Sequence, residues 1–478
     1  MNRRDVYENP LLTRYTSREM AELFSDNVKF TTWRRLWIAL AEAQQELGLP
    51  VTEEQIAELK AHRYDINYED AEKREAETRH DVMSHVYAYG LQCPKARAII
   101  HLGATSAYVG DNTDIIVMRD ALGIIKDKLA ALLGNIAGFA IEYRELPTLG
   151  FTHFQAAQLT TVGKRAALWL QDFYLDYLEV SRLYDSLPLL GVKGTTGTQA
   201  SFVELFEGNL DKVKKLEELV AEKLGFDKII PVSGQTYTRK LDSQVLNALS
   251  GIAQSVHKMT SDIRLLQHLK EVEEPFESKQ IGSSAMAYKR NPMRSERAAS
   301  LARYLINLAA NPAYTAATQW FERTLDDSAG RRIYIPQSFL TADAIVDICR
   351  NITSGMVVHE KVIYERIMSE IPFMATENIL MEAVKRGGDR QDLHERIREH
   401  SMMAASAVKD EGLPNDLLTR IAEDSAFNLT PEEITGLLNP SDYVGCSAEQ
   451  SVEFIAEYIQ PIIDEYKGKQ IQAVSLKV

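Results

Sequence analysis

The sequence predicts an all-α protein of three helical domains arranged around a central bundle of long helices. Three observations carry this. Proline is absent from Lys95 to Leu146, from Thr148 to Leu187 and from Val232 to Glu274, and proline is the residue that most strongly stops a helix. Within those gaps apolar residues recur at three- and four-residue spacing, the period of one helix face. Few strand-like stretches intervene. With 478 residues the chain is too long for one core of ordinary size. It divides into an N-terminal helical unit (1–105), the central bundle (106–358) and a C-terminal helical unit (359–478).

In the first unit Trp33, Trp37, Leu40 and Ala41 repeat at helical spacing before a stop at Gly48-Leu49-Pro50. A second helix is expected from Thr52, where Glu53 and Glu54 suit the positive end of the helix dipole. The stretch 76–90 holds Arg79-His80-Asp81 and then His85. The clearest helix is 112–143, capped by Asn112 or Thr113. Ile115, Met118, Leu122, Ile125, Leu129, Leu132, Ile136 and Phe139 form its apolar stripe. At about 1.5 Å per residue it would run roughly 48 Å, longer than an ordinary domain is wide. Residues 155–186, 240–271, 292–311 and 337–370 repeat the pattern, which implies an elongated bundle. Apolar surface left on such a bundle is expected to be covered by further copies of the chain.

Two loops interrupt the bundle, Leu146–Phe154 and the Gly- and Thr-rich Gly191–Gln199. Beyond residue 360 the helices shorten, broken at Gly387-Gly388, Gly412-Leu413-Pro414 and Asn439-Pro440. The last residues, Lys467 to Val478, read as a weakly held tail.

The net charge of −14 and pI near 5.3 argue against a nucleic-acid footprint. Cys93, Cys349 and Cys446 are odd in number and far apart, so neither a disulfide framework nor a Cys-x-x-Cys metal pair is expected. No stretch reaches the ~18 apolar residues of a membrane span, and the N-terminus lacks the apolar run of a signal peptide. A cytoplasmic protein is expected.

The densest chemistry lies between Ile281 and Arg297. Gly282 is expected for the backbone angles it allows. Asn291 and Pro292 are expected to open a helix, as N-cap and first helical residue. A helix start collects anions, and Lys289, Arg290, Arg294 and Arg297 add positive charge there. In an acidic chain this points to an anionic small substrate, or else to a solvated, capped loop. Other motifs fail. Gly163-Lys164 lacks the rest of a phosphate-binding loop, because Gln158 and Arg165 stand where Gly and Ser/Thr are needed. His394 and His400 miss the spacing of a helical metal pair. No metal or cofactor is expected. What remains is an acid–base set at helix ends. His80 lies between two charges. Thr105 and Ser106 precede the long helix and suit either a carboxylate or simple capping. His153 sits in a loop, as a general acid or a structural histidine. The run Glu322–Arg332 reads either as a solvated face or as part of a site.

Gly282-Ser-Ser-Ala-Met-Ala-Tyr-Lys-Arg-Asn-Pro292 resembles the signature loop of the fumarase/aspartase superfamily. Arg14-Tyr15, Arg79-His80-Asp81, Phe151–Gln155, Gly234–Tyr237 and Glu322–Arg332 resemble, within it, the adenylosuccinate lyase family, particularly its animal-type branch. The likeness covers residues 10–465. It implies a homotetramer whose sites combine segments of several copies, without cofactor or metal, and elimination of fumarate from adenylosuccinate and from the succinylated carboxamide ribotide SAICAR. It implies Ser283 as general base, His153 as general acid, Glu296 orienting His153, and Lys289 and Asn291 stabilising the carboxylate and its aci-form. Arg14, Tyr15, Arg323, Ser328 and Arg332 would hold phosphate and ribose. Arg79, His80, Asp81, Thr105, Ser106, Gln235 and Arg297 would complete the substrate pocket. Ala287 and Ala156 stand where the family pattern usually has proline. Argininosuccinate lyase, aspartase or a non-catalytic structural relative are the competing readings.

Overall fold

The computed structural model describes residues 5–471, 474 and 476. The expected tail therefore lies partly outside the described residues. A π-helical turn, Leu11–Tyr15, leads into α1 (Arg18–Leu23), α2 (Asp26–Glu46), α3 (Glu53–Ala61), α4 (Tyr68–Thr78) and α5 (Asp81–Gln92). The long α6 (Ser106–Glu142) runs into a hairpin of β1 (Pro147–Thr152) and β2 (Gln155–Thr161), then α7 (Val162–Ser186). Next come α8 (Ala200–Leu205), α9 (Leu210–Leu224), α10 (Lys240–His268), β3 (Val272–Glu273), α11 (Met293–Leu308), α12 (Ala310–Ala317) and α13 (Asp326–Thr353). The chain ends with β4 (Val357–Val358), α14 (Glu360–Met374), α15 (Thr376–Lys385), α16 (Arg390–Asp410), α17 (Leu417–Glu423), α18 (Pro431–Gly436), α19 (Ser447–Phe454) and α20 (Gln460–Glu465). β3 pairs antiparallel with β4, closing a second two-stranded sheet. The protein is all-α, as its residue periodicity predicts.

The bundle is α6, α7, α10, α11 and α13. All eight residues of the predicted α6 stripe are buried. Burying a side chain of this size contributes roughly 1.5–3 kcal/mol, so the stripe alone suffices to fix the face that α6 turns inward. Trp33, Trp37, Leu40 and Ala41 are buried on α2, and Thr52 forms a reciprocal capping box with Gln55 at the start of α3.

Three helix boundaries differ from the expectation. α6 starts at Ser106, not 112. Asn112 is no cap; it is fully buried, where its side-chain amide donates to the Tyr108 and Gly191 carbonyls and its oxygen accepts the Gly191 N–H. A buried amide satisfied on both sides stabilises more than an exposed cap. The helix expected from 155 begins only at Val162, because Gln155–Thr161 pairs with Pro147–Thr152 as β2. The helix expected over 337–370 is two. α13 already begins at Asp326, and after Thr353 the chain breaks to form β4 before α14.

The N-terminal segment is strapped to the bundle by Asp343 on α13. Its carboxylate accepts from Thr16 Oγ1 at 2.9 Å and from the Ser17 N–H and hydroxyl at 2.7 and 3.1 Å, and it pairs with Lys128 of α6. Arg14 and Tyr15 thereby lie on the flank of the bundle.

Candidate active site

Helix starts bring one group of candidate residues together. Arg79 ends α4 in the left-handed conformation (φ 58°), and His80 caps α5, its Nδ1 accepting the Met83 N–H at 3.2 Å. An accepting Nδ1 leaves the proton on Nε2, which lies 3.4 Å from Ser106 Oγ at the start of α6. Asp81 pairs with Arg332 of α13 at 3.2 Å. Thr105 occupies the N-cap position of α6 but makes no side-chain capping bond, which leaves its hydroxyl available to a ligand. Gln235 lies in the loop before α10. Its backbone N–H donates to Glu322 O at 3.0 Å and its amide to Thr195 O at 3.1 Å. Arg323 follows Glu322 directly and Ser328 lies in the first turn of α13. So Arg79, His80, Asp81, Thr105, Ser106, Gln235, Arg323, Ser328 and Arg332 gather where α6, α10 and α13 begin.

The run Glu322–Arg332 is neither all solvated nor all site. Asp327 and Arg331 are buried, while Arg332 is exposed. Consecutive helical positions point about 100° apart, so neighbours in sequence serve opposite faces. Sequence reasoning missed this buried layer. Arg239 joins Asp327 at 2.6 Å and Asp111 at 2.9 Å, and Arg331 joins Asp242 at 2.7 Å. It also passed over His101, whose Nδ1 accepts the Trp37 indole N–H at 2.9 Å. Burial lowers the His101 pKa to about 4, so the ring stays neutral beside His80. Its signal was present, since His101 opens the segment that ends in Thr105-Ser106.

The opposite end carries the loop and the hairpin. Ser283 Oγ accepts backbone N–H bonds from Ala285 at 3.3 Å and Met286 at 3.1 Å. Gly282 is required by proximity rather than by backbone angle, since a Cβ there would sit 2.2 Å from the Lys289 carbonyl oxygen. Asn291 is not the N-cap of α11. Pro292 holds that position, and the Asn291 amide donates to Gly282 O at 2.6 Å, closing the loop on itself. The free N–H groups of α11 are met instead by Glu274, whose buried carboxylate accepts from the N–H groups of Arg294 and Ser295 at 2.9 Å each. Lys289 and Glu296 are exposed. Arg297, one turn into α11, lies over the Tyr15 ring at 5.9 Å.

His153 sits at an exposed hairpin tip. Thr152 pairs with Gln155, leaving His153 and Phe154 as a two-residue turn with φ of 53° and 58°. Positive φ at both turn residues matches the twist of the strands, but normally calls for Asn or Gly. Such a conformation in His and Phe stores strain, and strained residues cluster at functional sites.

The two groups are far apart within one chain. α6 rises about 55 Å over its length. The hairpin springs from its far end, where the Val162 and Gly163 N–H groups bond Leu146 O and Tyr143 O. β1 has six residues and reaches about 20 Å. His153 therefore remains about 30 Å or more from Ser106 even if the hairpin folds straight back. Likewise α10 separates Gln235, before its start, from Arg290, whose carbonyl accepts from Gln267 near its end. A single copy cannot bring both groups onto one small ligand.

Comparison with known proteins places the chain. A lyase family model matches residues 13–305, and a model of the adenylosuccinate lyase C-terminus matches residues 372–454. The adenylosuccinate lyase of Saccharomyces cerevisiae is 53% identical over 97% of each chain. That of Schizosaccharomyces pombe is 50% identical over 97% of this chain and 96% of its own, and that of Schistosoma mansoni 47% identical over 98% of each. Among solved structures, 3-carboxy-cis,cis-muconate lactonizing enzyme from Pseudomonas putida superposes with a TM-score of 0.81 at 23% identity, covering 95% of this chain and all of that one. It shares the fold. The names of the matching relatives do not favour argininosuccinate lyase, aspartase or a non-catalytic role. The chain is a lyase, and it belongs to the adenylosuccinate lyase family.

Proposed function

We propose that the chain cleaves adenylosuccinate to AMP and fumarate by β-elimination, and SAICAR in the same way. Ser283 removes a proton from the succinyl carbon next to a carboxylate. The C–N bond then breaks, and His153, oriented by Glu296, protonates the departing nitrogen. Lys289 and Asn291 meet the charge that builds on the carboxylate. Arg14, Tyr15, Arg323, Ser328 and Arg332 hold phosphate and ribose, and Arg79, His80, Asp81, Thr105, Ser106, Gln235 and Arg297 complete the pocket. The observation that carries this reading is the pair of backbone N–H groups aimed at Ser283 Oγ. Donors placed on an oxygen favour its anionic form, and one such donor is worth about 3–4 kcal/mol in comparable anionic transition states.

The separation of the two residue groups supports sites built from several copies, and we read the assembly as a homotetramer. The division into units 1–105, 106–358 and 359–478 belongs to the same reading, supported by helix starts at Ser106 and Glu360. Three unbridged cysteines support a cytoplasmic setting. The test is direct. Purified protein is mixed with adenylosuccinate and, separately, with SAICAR, and the ultraviolet change on loss of the succinyl group is followed. Release of fumarate from both is expected; turnover of neither overturns the reading.

A further inference from the structure

Beneath the substrate-pocket residues lies a buried polar layer. Arg239, Arg331, Asp111, Asp242, Asp327 and Tyr237 are all buried, none more than 6% exposed. Arg239 donates to Asp111 through two nitrogens, at 2.9 and 3.2 Å, and to Asp327 at 2.6 Å. Arg331 donates to Asp242 at 2.7 Å, to the Tyr237 hydroxyl, and pairs with Asp114 at 2.9 Å. Tyr237 donates its hydroxyl to Asp242 at 2.5 Å and its N–H to Asp111 at 3.0 Å. Both guanidinium groups lie against its ring, at 4.5 and 5.3 Å.

The layer joins three segments, and each carries residues read above as holding substrate. Asp111 stands five residues after Ser106 on α6. Tyr237 stands two after Gln235. Asp327 and Arg331 directly precede Ser328 and Arg332 on α13. Buried ion pairs of this kind rarely add net stability, because desolvating the charges costs as much as their attraction returns. What directional, bidentate pairing does confer is geometry. Three loops and helix starts that share no covalent neighbour are held in one register by six side chains.

We infer that this layer is a fixture which sets the positions of Ser106, Gln235, Ser328 and Arg332, so that Tyr237, Arg239 and Arg331 are positioning residues that do not touch substrate. The inference rests on the proposed reading that those four residues line the substrate pocket, Ser328 and Arg332 at its phosphate and ribose end. It predicts that loosening the layer weakens nucleotide binding while the chemical step, carried by Ser283 and His153 at the other end of the bundle, is retained.

The experiment uses the full-length protein with three variants. Tyr237→Phe removes one hydroxyl, and with it the bond that Asp242 accepts and the bond that Arg331 donates, leaving their direct pair. Arg331→Lys keeps the charge and loses the fork. Arg34→Lys is the control, a buried arginine in the first unit that bonds Gln92 at 2.7 Å and Asp65 O at 3.2 Å and touches none of the nucleotide-holding residues. KM and kcat for adenylosuccinate, the Kd for AMP by calorimetry and the thermal midpoint are measured for each. Tyr237→Phe and Arg331→Lys are expected to raise KM and the AMP Kd about 10-fold or more with kcat within about 3-fold of wild type. Arg34→Lys is expected to lower the thermal midpoint and leave both constants alone. Should one layer variant fail to fold, the other decides. The inference is overturned if Tyr237→Phe or Arg331→Lys leaves KM and Kd within about twofold of wild type, or if Arg34→Lys raises them as much. Wild-type protein that binds AMP but leaves adenylosuccinate intact defeats the functional reading instead, and the AMP Kd values still judge the layer.

Discussion

Where α6, α10 and α13 begin, the candidate substrate-holding side chains stand on buried arginine–aspartate pairs. Where α6 and α10 end, Ser283 stands in an exposed loop and His153 at a hairpin tip. The first end is rigid because every charged group beneath the surface has a geometric partner. The second has few partners in its own chain: the Ser283 hydroxyl meets only backbone N–H groups of its own loop, and His153 makes no hydrogen bond among the described residues. On the function proposed above, one end holds the substrate and the other carries the reaction. A group that must move a proton profits from a loop that opens and closes, whereas a group that fixes a phosphate profits from a locked fork.

The strongest way to break this contrast is to remove the reacting groups. Ser283→Ala and His153→Ala are each expected to lower kcat by about 1,000-fold, since each removes a proton-transfer partner. Neither supports the core, so circular dichroism and the thermal midpoint should match wild type. A residual kcat above a tenth of wild type would take the chemistry away from that end. Arg332→Ala probes the other end, with an expected KM rise of about 10- to 100-fold as a charge-assisted contact is lost, against a smaller fall in kcat.

Glu274→Gln sharpens the comparison by loosening a buried carboxylate that anchors the start of α11 at the proposed reacting end. Burial raises the Glu274 carboxyl above its ordinary pKa, opposed by the N–H bonds from Arg294 and Ser295. The neutral amide accepts those bonds more weakly, at a cost of about 1 kcal/mol. The expected readout is a several-fold loss of kcat with KM retained, measured in steady state.

Acid should weaken the first unit by a separate route. His85 is stacked on Phe30 at 3.8 Å, and burial, with the charges of Lys29 and Arg34, lowers its pKa to about 4. The folded value lies below the unfolded one, so the neutral ring's contribution is complete above pH 6.5 and is lost as pH falls toward 4. The most this one group withdraws is about 3 kcal/mol. A thermal midpoint that falls between pH 7 and pH 5, and falls less in His85→Asn, is the expected result.

The smallest effect concerns Ala287, in the exposed part of the signature loop. Proline there would restrict the open ensemble by about 0.4–1 kcal/mol, so Ala287→Pro is expected to raise kcat about two- to fivefold. An unchanged kcat would mean that loop closure does not limit turnover.

Much of the scaffold is legible in the sequence, because apolar periodicity reports the buried helix face and proline gaps report helix length. The α6 stripe is the clearest instance. The hairpin was not, since Gln155-Ala156-Ala157-Gln158 has the composition of a helix and becomes a strand only by pairing with β1. Asn112 reads as a cap in the sequence because cap and buried clamp use the same amide. The buried partners of Arg239 and Arg331 were illegible for a different reason: Asp111 and Arg239 are 128 positions apart, and only the bundle brings them together. His153 and Ser283 stood out through resemblance to a family; their own neighbours in sequence leave a structural loop equally open.

The separation of the two ends across α6 and α10 is the claim on which the rest depends. Its most direct test mixes two full-length variants, His80→Ala and Ser283→Ala, each also assayed alone at subsaturating substrate, after unfolding and refolding together. If each site takes one end from one copy and the other end from a second, random assortment restores intact sites to about a quarter of the total, with activity to match. Activity no higher than the sum of the two separate variants, in hybrids shown by native mass spectrometry to contain both chains, would contradict it.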